Sequence, residues 1–155
     1  MTIRSELTFA SDELGATSLE SDSPRIRTVV VDDSDTFIRV TCDLLDREDV
    51  IDLVAAASDG AEAVDTVARL KPELVLMEVS LPGLNGLETA SLLSEMSPAP
   101  AIVLMSSENT PQLRAACWRA GAFGFIHKAN FRDELEAVLQ RILQRDESGQ
   151  SLQSA

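Results

Sequence analysis

The chain is short of basic residues and cysteines, and it has no long apolar segment. Its 13 lysines and arginines face 26 aspartates and glutamates, and a net charge of -13 argues against direct binding to nucleic acid or anionic membranes. The two cysteines, Cys42 and Cys117, fit no zinc or redox spacing, which favours packing roles in a reduced, cytoplasmic setting. No apolar run approaches the roughly 20 residues of a membrane span, and no signal-peptide pattern begins the chain. We therefore expect an intracellular protein that binds metal ions or other proteins.

The apolar content is nevertheless high enough for one domain. A chain of 155 residues with 45% apolar residues can form a core without a metal or a disulfide. Residues 1–24 are rich in Ser, Thr, Asp and Glu without a sustained period, which predicts a disordered acidic extension. We expect the domain to span residues 25–145 and a flexible tail to span residues 146–155.

Five short apolar runs alternate with five helical patterns. The candidate strands are IRTVVV, DLVAAA, ELVLME, AIVLMS and AFGFIH. Apolar stripes mark the helices between and after them: Phe37, Val40, Thr41 and Leu44; Ala63, Val64, Val67 and Ala68; Leu87, Ala90 and Leu93; Leu113, Ala116, Cys117 and Ala120; Leu135, Val138, Leu139 and Ile142. This alternation predicts an α/β protein with a parallel sheet and helices on both faces.

Polar side chains stand where these strands end, at the edge where doubly wound sheets bind ligands. Asp32 and Asp33 follow the first strand, Glu78 ends the third, Ser106 ends the fourth and Lys128 follows the fifth. Solvation alone could explain any one of them, but it explains the whole set poorly. Together they suit Mg2+-assisted transfer of a phosphoryl group to a carboxylate, with a hydroxyl and an amine binding the phosphoryl oxygens.

Four segments carry a resemblance to a known family. VVVDDSDTF, PELVLMEVSLPGLNGLE, IVLMSS and GAFGFIHKA resemble the signature blocks of the receiver domain of bacterial two-component response regulators, over about residues 26–144. The resemblance implies a doubly wound (βα)5 flavodoxin-like three-layer sandwich with strand order 2-1-3-4-5. It also implies that Asp32, Asp33, Glu78 and the backbone carbonyl of Ser80 bind Mg2+.

The same resemblance assigns the other site residues. Glu78 occupies the phosphoacceptor position, Ser106 is the switch hydroxyl, and Lys128 pairs with the phosphoryl group. Phe125 is the aromatic residue that changes rotamer with the switch, although ordinary core packing would also explain it. His127, the only histidine, should alternate to the opposite side of the strand, and we expect no catalytic role for it.

The family has Asp where this chain has Glu78, and this difference leaves two hypotheses. The longer side chain moves the carboxylate roughly 1.5 Å outward, and misplacement by about 1 Å can slow a reaction around a hundredfold. Glu78 could imitate the phosphorylated state by reaching Ser106 and Lys128. Alternatively, it forms an ion pair with Lys128 in a degenerate receiver that acts only as an interaction module.

The resemblance further implies a signalling role rather than an enzymatic one. A histidine kinase or phosphotransfer protein would be the upstream partner in a phosphorelay, and a stand-alone receiver would pass its signal on through protein contacts. The expected surface comprises the fourth helix, fifth strand and fifth helix, where a homodimer could also form. Its apolar candidates, which could equally fill the core, are Leu113, Trp118, Phe123 and Phe131.

A phosphatase is the rival hypothesis from another class. VVVDDSDTF approaches the haloacid-dehalogenase motif, with Asp33 as nucleophile and Asp35 as acid/base. However, Phe37 stands where Thr or Val is expected, and no paired-acid motif follows Lys128. A flavin mononucleotide binder fits less well still, because the acidic loop would repel the cofactor's phosphate.

Overall fold

The structure is a computed structural model that describes residues 25–147. The predicted acidic extension and most of the predicted tail lie outside the described residues, so the domain boundaries stay a prediction. The strands are β1 (Ile26–Val31), β2 (Ile51–Ala57), β3 (Leu74–Glu78), β4 (Ala101–Ser106) and β5 (Gly124–His127). The helices are α1 (Asp35–Asp46), α2 (Gly60–Leu70), α3 (Gly86–Ser94), α4 (Pro111–Arg119) and α5 (Phe131–Glu147), with a 3-10 turn at Lys128–Asn130.

The sheet is parallel, and its strand order is β2-β1-β3-β4-β5. This order and the alternation of strands and helices confirm the predicted flavodoxin-like fold. None of the described helices combines the length and the apolar character needed to cross a membrane.

Two apolar clusters lie on opposite faces of the sheet. Alternation along β1 sends Val30 into the cluster under α1 and α5, whereas Val29 and Val31 enter the cluster under α2, α3 and α4. Strands β1 to β4 have buried side chains on both faces, as expected of a parallel sheet covered by helices, whereas β5 at the margin buries Ile126 on one face and only partly buries Phe125 on the other. The α5 stripe agrees with the sequence prediction, because all four of its members are buried: Leu135, Val138, Leu139 and Ile142.

The predicted stripe of α1 is partly wrong. The structure buries Ile38, Thr41 and Leu45, whereas Val40 is 50% exposed. Ile38, Thr41 and Leu45 follow i, i+3, i+7 spacing and so form one narrow face toward the sheet. Val40 stands one position outside that face, so apolar character alone did not place it correctly.

Side-chain caps fix where the helices begin, and therefore how short the loops above the strands are. Ser34, Asp59 and Thr110 each accept a hydrogen bond from a backbone N–H of the first turn of α1, α2 and α4. Asn85 and Glu88 form a reciprocal capping box at the start of α3. These caps hold the residues that follow β1, β3 and β4 close to the carboxyl edge of the sheet.

Gly86 lets α3 approach the end of β3 closely. A Cβ at Gly86 would lie 2.2 Å from the carbonyl oxygen of Glu78 and 2.8 Å from Cα of Val79. Both are backbone atoms, so a larger residue would displace the strand end that carries Glu78. We expect Gly86→Ala to lower the free energy of unfolding by about 1–3 kcal/mol, because overpacking outweighs the helix propensity of alanine.

Urea unfolding checks this prediction, with Gly124→Ala as the control. A Cβ at Gly124 would meet only side-chain atoms at 3.5 Å or more, which is ordinary contact. Equal unfolding free energies for Gly86→Ala and the unaltered protein would show that the strand end tolerates the displacement.

Candidate functional site

The two acids after β1 point in different directions. Asp32 is 1% exposed, and its Oδ1 accepts a hydrogen bond of 2.9 Å from the backbone N–H of Ser34. The backbone N–H of Asp32 donates to the carbonyl of Ala57, which extends the pairing of β1 with β2. Asp33 is exposed to solvent. Only one acid of the pair is therefore built into the buried part of the site.

Glu78 is the last residue of β3 and is 7% exposed. Its Oε2 accepts a hydrogen bond of 2.9 Å from the backbone N–H of Ser80, while Oε1 forms an ion pair with Nζ of Lys128. Both carboxylate oxygens of Glu78 thus have partners within the chain.

Lys128 joins the ends of three strands. Its Nζ donates to Oδ2 of Asp32 at 2.7 Å and forms an ion pair with Glu78. One ammonium therefore binds both the carboxylate that follows β1 and the carboxylate that ends β3. The same Nζ lies 4.1 Å from the ring centroid of Phe37, and Phe37 packs edge-on against Phe131 with ring centroids 5.6 Å apart. Lys128 is therefore held from several sides.

Phe37 is the site residue that the sequence prediction missed. It was predicted as a member of the apolar stripe of the first helix and as a departure from the phosphatase motif, yet its ring covers the lysine that binds both acids. The available signal was its place in the first turn of α1, three residues after the Ser34 cap, because this turn lies at the carboxyl edge of the sheet.

The hydrogen bonds within the ion-pair network act in opposite directions on the pKa of Asp32 and the pKa of Lys128. Burial raises the pKa of Asp32, although hydrogen bonds from Lys128 and Ser34 oppose that rise. Burial alone would lower the pKa of Lys128, but hydrogen bonds to Asp32 and Glu78 outweigh it and raise the pKa. The ammonium therefore stays charged across the neutral range, and its contribution to stability is lost only as pH rises through the raised lysine pKa.

Ser106 lies at the same edge but takes no part in the network. It is 5% exposed, and its hydroxyl oxygen accepts a 3.0 Å hydrogen bond from the backbone N–H of Glu108. Nε2 of His127 lies 3.1 Å from the carbonyl oxygen of Ser107, which connects the end of β5 with the loop after β4. Glu134 accepts the backbone N–H of His127 at 2.8 Å.

The predicted switch aromatic and surface residues differ in exposure. Phe125 is partly buried and packs against the cluster under α2, α3 and α4, as does Leu113. Phe131 is buried in the other cluster, and Phe123 packs partly against it. Trp118 is 50% exposed and is the most accessible of the four predicted surface residues.

The site has the oxygen ligands that Mg2+ prefers, but they have other partners. Asp32 and Glu78 each use one oxygen to accept a backbone N–H and the other to bind Lys128. Within residues 25–147, no group of three acidic, histidine or cysteine side chains is close enough to hold a metal ion. The donors fit the chemistry of Mg2+, whereas their present bonds compete with it.

The fold and this edge of the sheet define a flavodoxin-like α/β domain with a buried acidic pocket closed by a lysine. Residues 28–140 match the model of the response regulator receiver domain, and the chain belongs to that family. Receiver domains are generally non-enzymatic modules of two-component signalling, they typically bind Mg2+, and they interact with histidine kinases or phosphotransfer proteins. Membership favours the receiver over the phosphatase and flavoprotein hypotheses.

Similar proteins carry this domain within longer chains. A protein-glutamate methylesterase/protein-glutamine glutaminase of Methanococcoides burtonii is 33% identical over 114 residues, which are 73% of this chain and 32% of that protein. The DNA-binding transcriptional activator EvgA of Escherichia coli is 30% identical over 112 residues, or 72% of this chain and 54% of that protein. The chain thus spans between a third and about half of these relatives.

Solved structures agree with the fold. The response regulator domain of Thermotoga maritima CheB is 32% identical, with a TM-score of 0.68 over 77% of this chain and 95% of that one. A LuxR-family response regulator from Aurantimonas is 26% identical, with a TM-score of 0.73 over 77% of this chain and 86% of that one.

The ion-pair network predicts strong coupling between Lys128 and Asp32. Lys128→Met would leave two buried carboxylates without their cation, and we expect it to lower the free energy of unfolding by about 3–5 kcal/mol. In a double-mutant cycle by urea unfolding, Lys128→Met combined with Asp32→Asn should cost less than the sum of the two single changes.

Arg132→Met is the matched control, because Arg132 is an exposed cation four residues after Lys128. It should change the free energy of unfolding by less than about 0.5 kcal/mol. Additive effects of Lys128→Met and Asp32→Asn would contradict a shared network.

Proposed function

We propose that this chain is a receiver whose Glu78, Lys128 and Asp32 form a closed ion-pair network that prevents phosphorylation and fixes one signalling state. The observation that carries the proposal is the ammonium of Lys128, which binds both buried carboxylates at once. A network of this kind is complete within the chain, so it needs no phosphoryl group to hold Lys128 in place.

Both oxygens of Glu78 are unsuited to attack on a phosphoryl donor. Oε1 is paired with Lys128 and Oε2 accepts the N–H of Ser80, so an attacking oxygen would first lose a partner. The longer side chain also places the carboxylate away from the position that aspartate would occupy, and small displacements of a nucleophile are costly to rate. We infer that Glu78 blocks phosphoryl transfer from a kinase.

The hypothesis that Glu78 fully imitates the phosphorylated state has less support than the hypothesis that Glu78 blocks phosphoryl transfer. The resemblance assigns the phosphoryl group two partners, Lys128 and the hydroxyl of Ser106. Glu78 pairs with Lys128, whereas the Ser106 oxygen accepts from the backbone of Glu108. A carboxylate also lacks the charge and tetrahedral shape of a phosphoryl group. In the proposed state, therefore, Ser106 keeps its resting position.

The signal would leave by protein contacts through α4, β5 and α5. Trp118 supports this surface because it is a large apolar residue that α4 leaves half-exposed. We treat the receiver as the working unit, since the family match covers residues 28–140. The methylesterase activity in the relatives' names belongs to proteins of which this chain covers only a third, and we do not propose it.

Mg2+ would bind at Asp32, Asp33 and the carbonyl of Ser80, with Glu78 as a further oxygen donor. The exposed carboxylate of Asp33 is the donor most accessible to a hydrated ion. Lys128 opposes binding because its ammonium takes an oxygen of Asp32 and adds positive charge beside the ion. We propose weak Mg2+ binding that Lys128 limits.

Intact-protein mass spectrometry tests the block. After incubation with Mg2+ and a small phosphodonor, we expect Glu78→Asp to gain one acid-stable, base-labile phosphoryl group. The unaltered protein should react about a hundredfold more slowly, because its carboxylate is misplaced. The matched control is Glu95→Asp, the same change at an exposed glutamate, which should be labelled no faster than the unaltered protein.

The outcomes separate the hypotheses. If the unaltered protein is labelled as fast as Glu78→Asp, and Glu78→Gln abolishes the labelling, Glu78 is a working acceptor and the proposed block is wrong. If neither protein is labelled, Glu78 is not the sole obstacle, and the site is a degenerate one that acts by binding alone.

Calorimetric titration with Mg2+ tests the proposed competition. We expect Lys128→Met to bind Mg2+ at least about tenfold more tightly, because a nearby like charge disappears and an oxygen of Asp32 is released. Asp33→Asn should weaken binding in the Lys128→Met background, whereas Asp35→Asn, a neighbouring exposed acid, should not. Equal affinities for the unaltered protein and Lys128→Met would mean that Lys128 does not compete.

A further inference from the structure

Two segments of the chain carry charge of one sign only. Residues 109–132 contain no acid although the whole chain has a net charge of -13, and residues 5–24 contain no base. The bases of the first segment are Arg114, Arg119, Lys128 and Arg132. The acids of the second, which we call the acidic segment, are Glu6, Asp12, Glu13, Glu20 and Asp22.

The positive segment also reaches the amino edge of the sheet, where the ends of α4 and α5 and the start of β5 lie. We call the residues at these ends the arginine–aromatic patch: Trp118, Arg119, Phe123, Arg141 and Arg145. The guanidinium groups of Arg141 and Arg145 lie 4.5 Å and 5.1 Å from the ring centroid of Phe123. Arg141 also donates to the carbonyl of Phe123 at 2.9 Å. Among the described side chains, no carboxylate forms an ion pair with either arginine.

This patch lies at the amino edge of the sheet, opposite the ion-pair network. α4 starts above β4 and ends before β5, so Trp118 and Arg119 are at its amino-edge end. Phe123 directly precedes β5, and its backbone N–H donates to the carbonyl of Ile102 at 2.7 Å. Arg141 reaches that same residue from the later turns of α5.

The acidic segment enters the domain at this same edge. It leads into β1, whose Arg27 carbonyl accepts the backbone N–H of Glu73, and the Glu73 carbonyl in turn accepts the N–H of Ala101. Three strand spacings of about 4.8 Å separate β1 from β5, or about 14 Å in all. Twenty residues can span up to about 65 Å, so the segment is long enough to reach the patch.

We propose that the acidic segment binds the arginine–aromatic patch of its own chain. Its carboxylates would pair with the arginines that lack a carboxylate partner among the described side chains, and its apolar residues Leu7 and Phe9 would cover Trp118. A tether this short gives an effective concentration in the millimolar range, so a weak contact suffices for substantial occupancy. The partner is thus a segment of opposite charge that is always present.

Bound in this way, the acidic segment would compete with any protein that uses the same part of the α4-β5-α5 surface. This regulatory consequence rests on the proposed output surface, whereas the binding itself does not. A partner would have to displace the segment, so its apparent affinity would equal its intrinsic affinity multiplied by the fraction of molecules with a free patch.

Trp118 makes the binding measurable in the 155-residue chain, since it is the only tryptophan of that sequence. Quenching of its fluorescence by acrylamide, which is uncharged, reports how accessible the ring is. If half of the molecules are bound at millimolar effective concentration, neutralising the segment should raise the quenching constant about twofold. The neutralised variant carries Glu6→Gln, Asp12→Asn, Glu13→Gln, Glu20→Gln and Asp22→Asn.

The matched control neutralises five acids in the segment from α1 into β2, the strand at the opposite margin of the sheet from β5: Asp43→Asn, Asp46→Asn, Glu48→Gln, Asp49→Asn and Asp52→Asn. It should leave the quenching constant unchanged. Raising the salt concentration of the unaltered protein, or combining Arg141→Gln with Arg145→Gln, should mimic neutralisation of the segment. Circular dichroism of each variant confirms that it remains folded.

Equal quenching of the unaltered protein and the neutralised variant at low salt would overturn the proposal. So would protection of Trp118 that increases with protein concentration, because a second copy would then cover the patch. Neither result bears on phosphoryl acceptance by Glu78→Asp, since the quenching experiment changes no residue of the site. Failure of this inference and failure of the proposed function are therefore distinguishable.

Discussion

The ion pairs of Lys128 with Asp32 and Glu78 are the interactions on which the carboxyl edge of the sheet depends. The two acids end neighbouring strands, β1 and β3, and both are almost completely removed from water. Two carboxylates in that position repel each other and lose their hydration, so a cation must compensate them. Lys128 supplies this charge from the far side of β4, and Phe37 limits where its ammonium can lie. Strand ends that are distant in sequence are thereby fixed in relation to one another.

Most of the fold could be predicted because its signals are local. A buried parallel strand needs several consecutive apolar residues, and IRTVVV and AIVLMS satisfy this without reference to the rest of the chain. The orientation of α1 is a different matter, because the rotation of a helix depends on the surface that it covers. Ile38 and Leu45 are buried and Val40 is exposed, although all three are apolar. A stripe with more than one possible face leaves that choice to tertiary packing.

The residue types of the site could be predicted, but not the pattern of its bonds. The strand ends brought Asp32, Glu78 and Lys128 together as expected, because parallel strands end at a common edge. Whether Glu78 pairs with Lys128 or also reaches Ser106 depends on differences of about 1 Å in side-chain placement, which spacing along the sequence does not encode. The contact of Phe37 with Lys128 was missed for the same reason, since an aromatic residue in a first helical turn has many possible neighbours.

The outer strand β5 has a consequence for how copies of this chain can associate. It is only four residues long, Gly124–His127, and Glu134 accepts the backbone N–H of His127. A neighbouring molecule that tried to continue the sheet would therefore find only four residues of β5 with which to pair its backbone. An edge strand this short disfavours edge-to-edge aggregation and fibre growth. On this side of the domain, contacts between molecules must use side chains of the helices, which can be specific, rather than backbone pairing, which is indifferent to sequence.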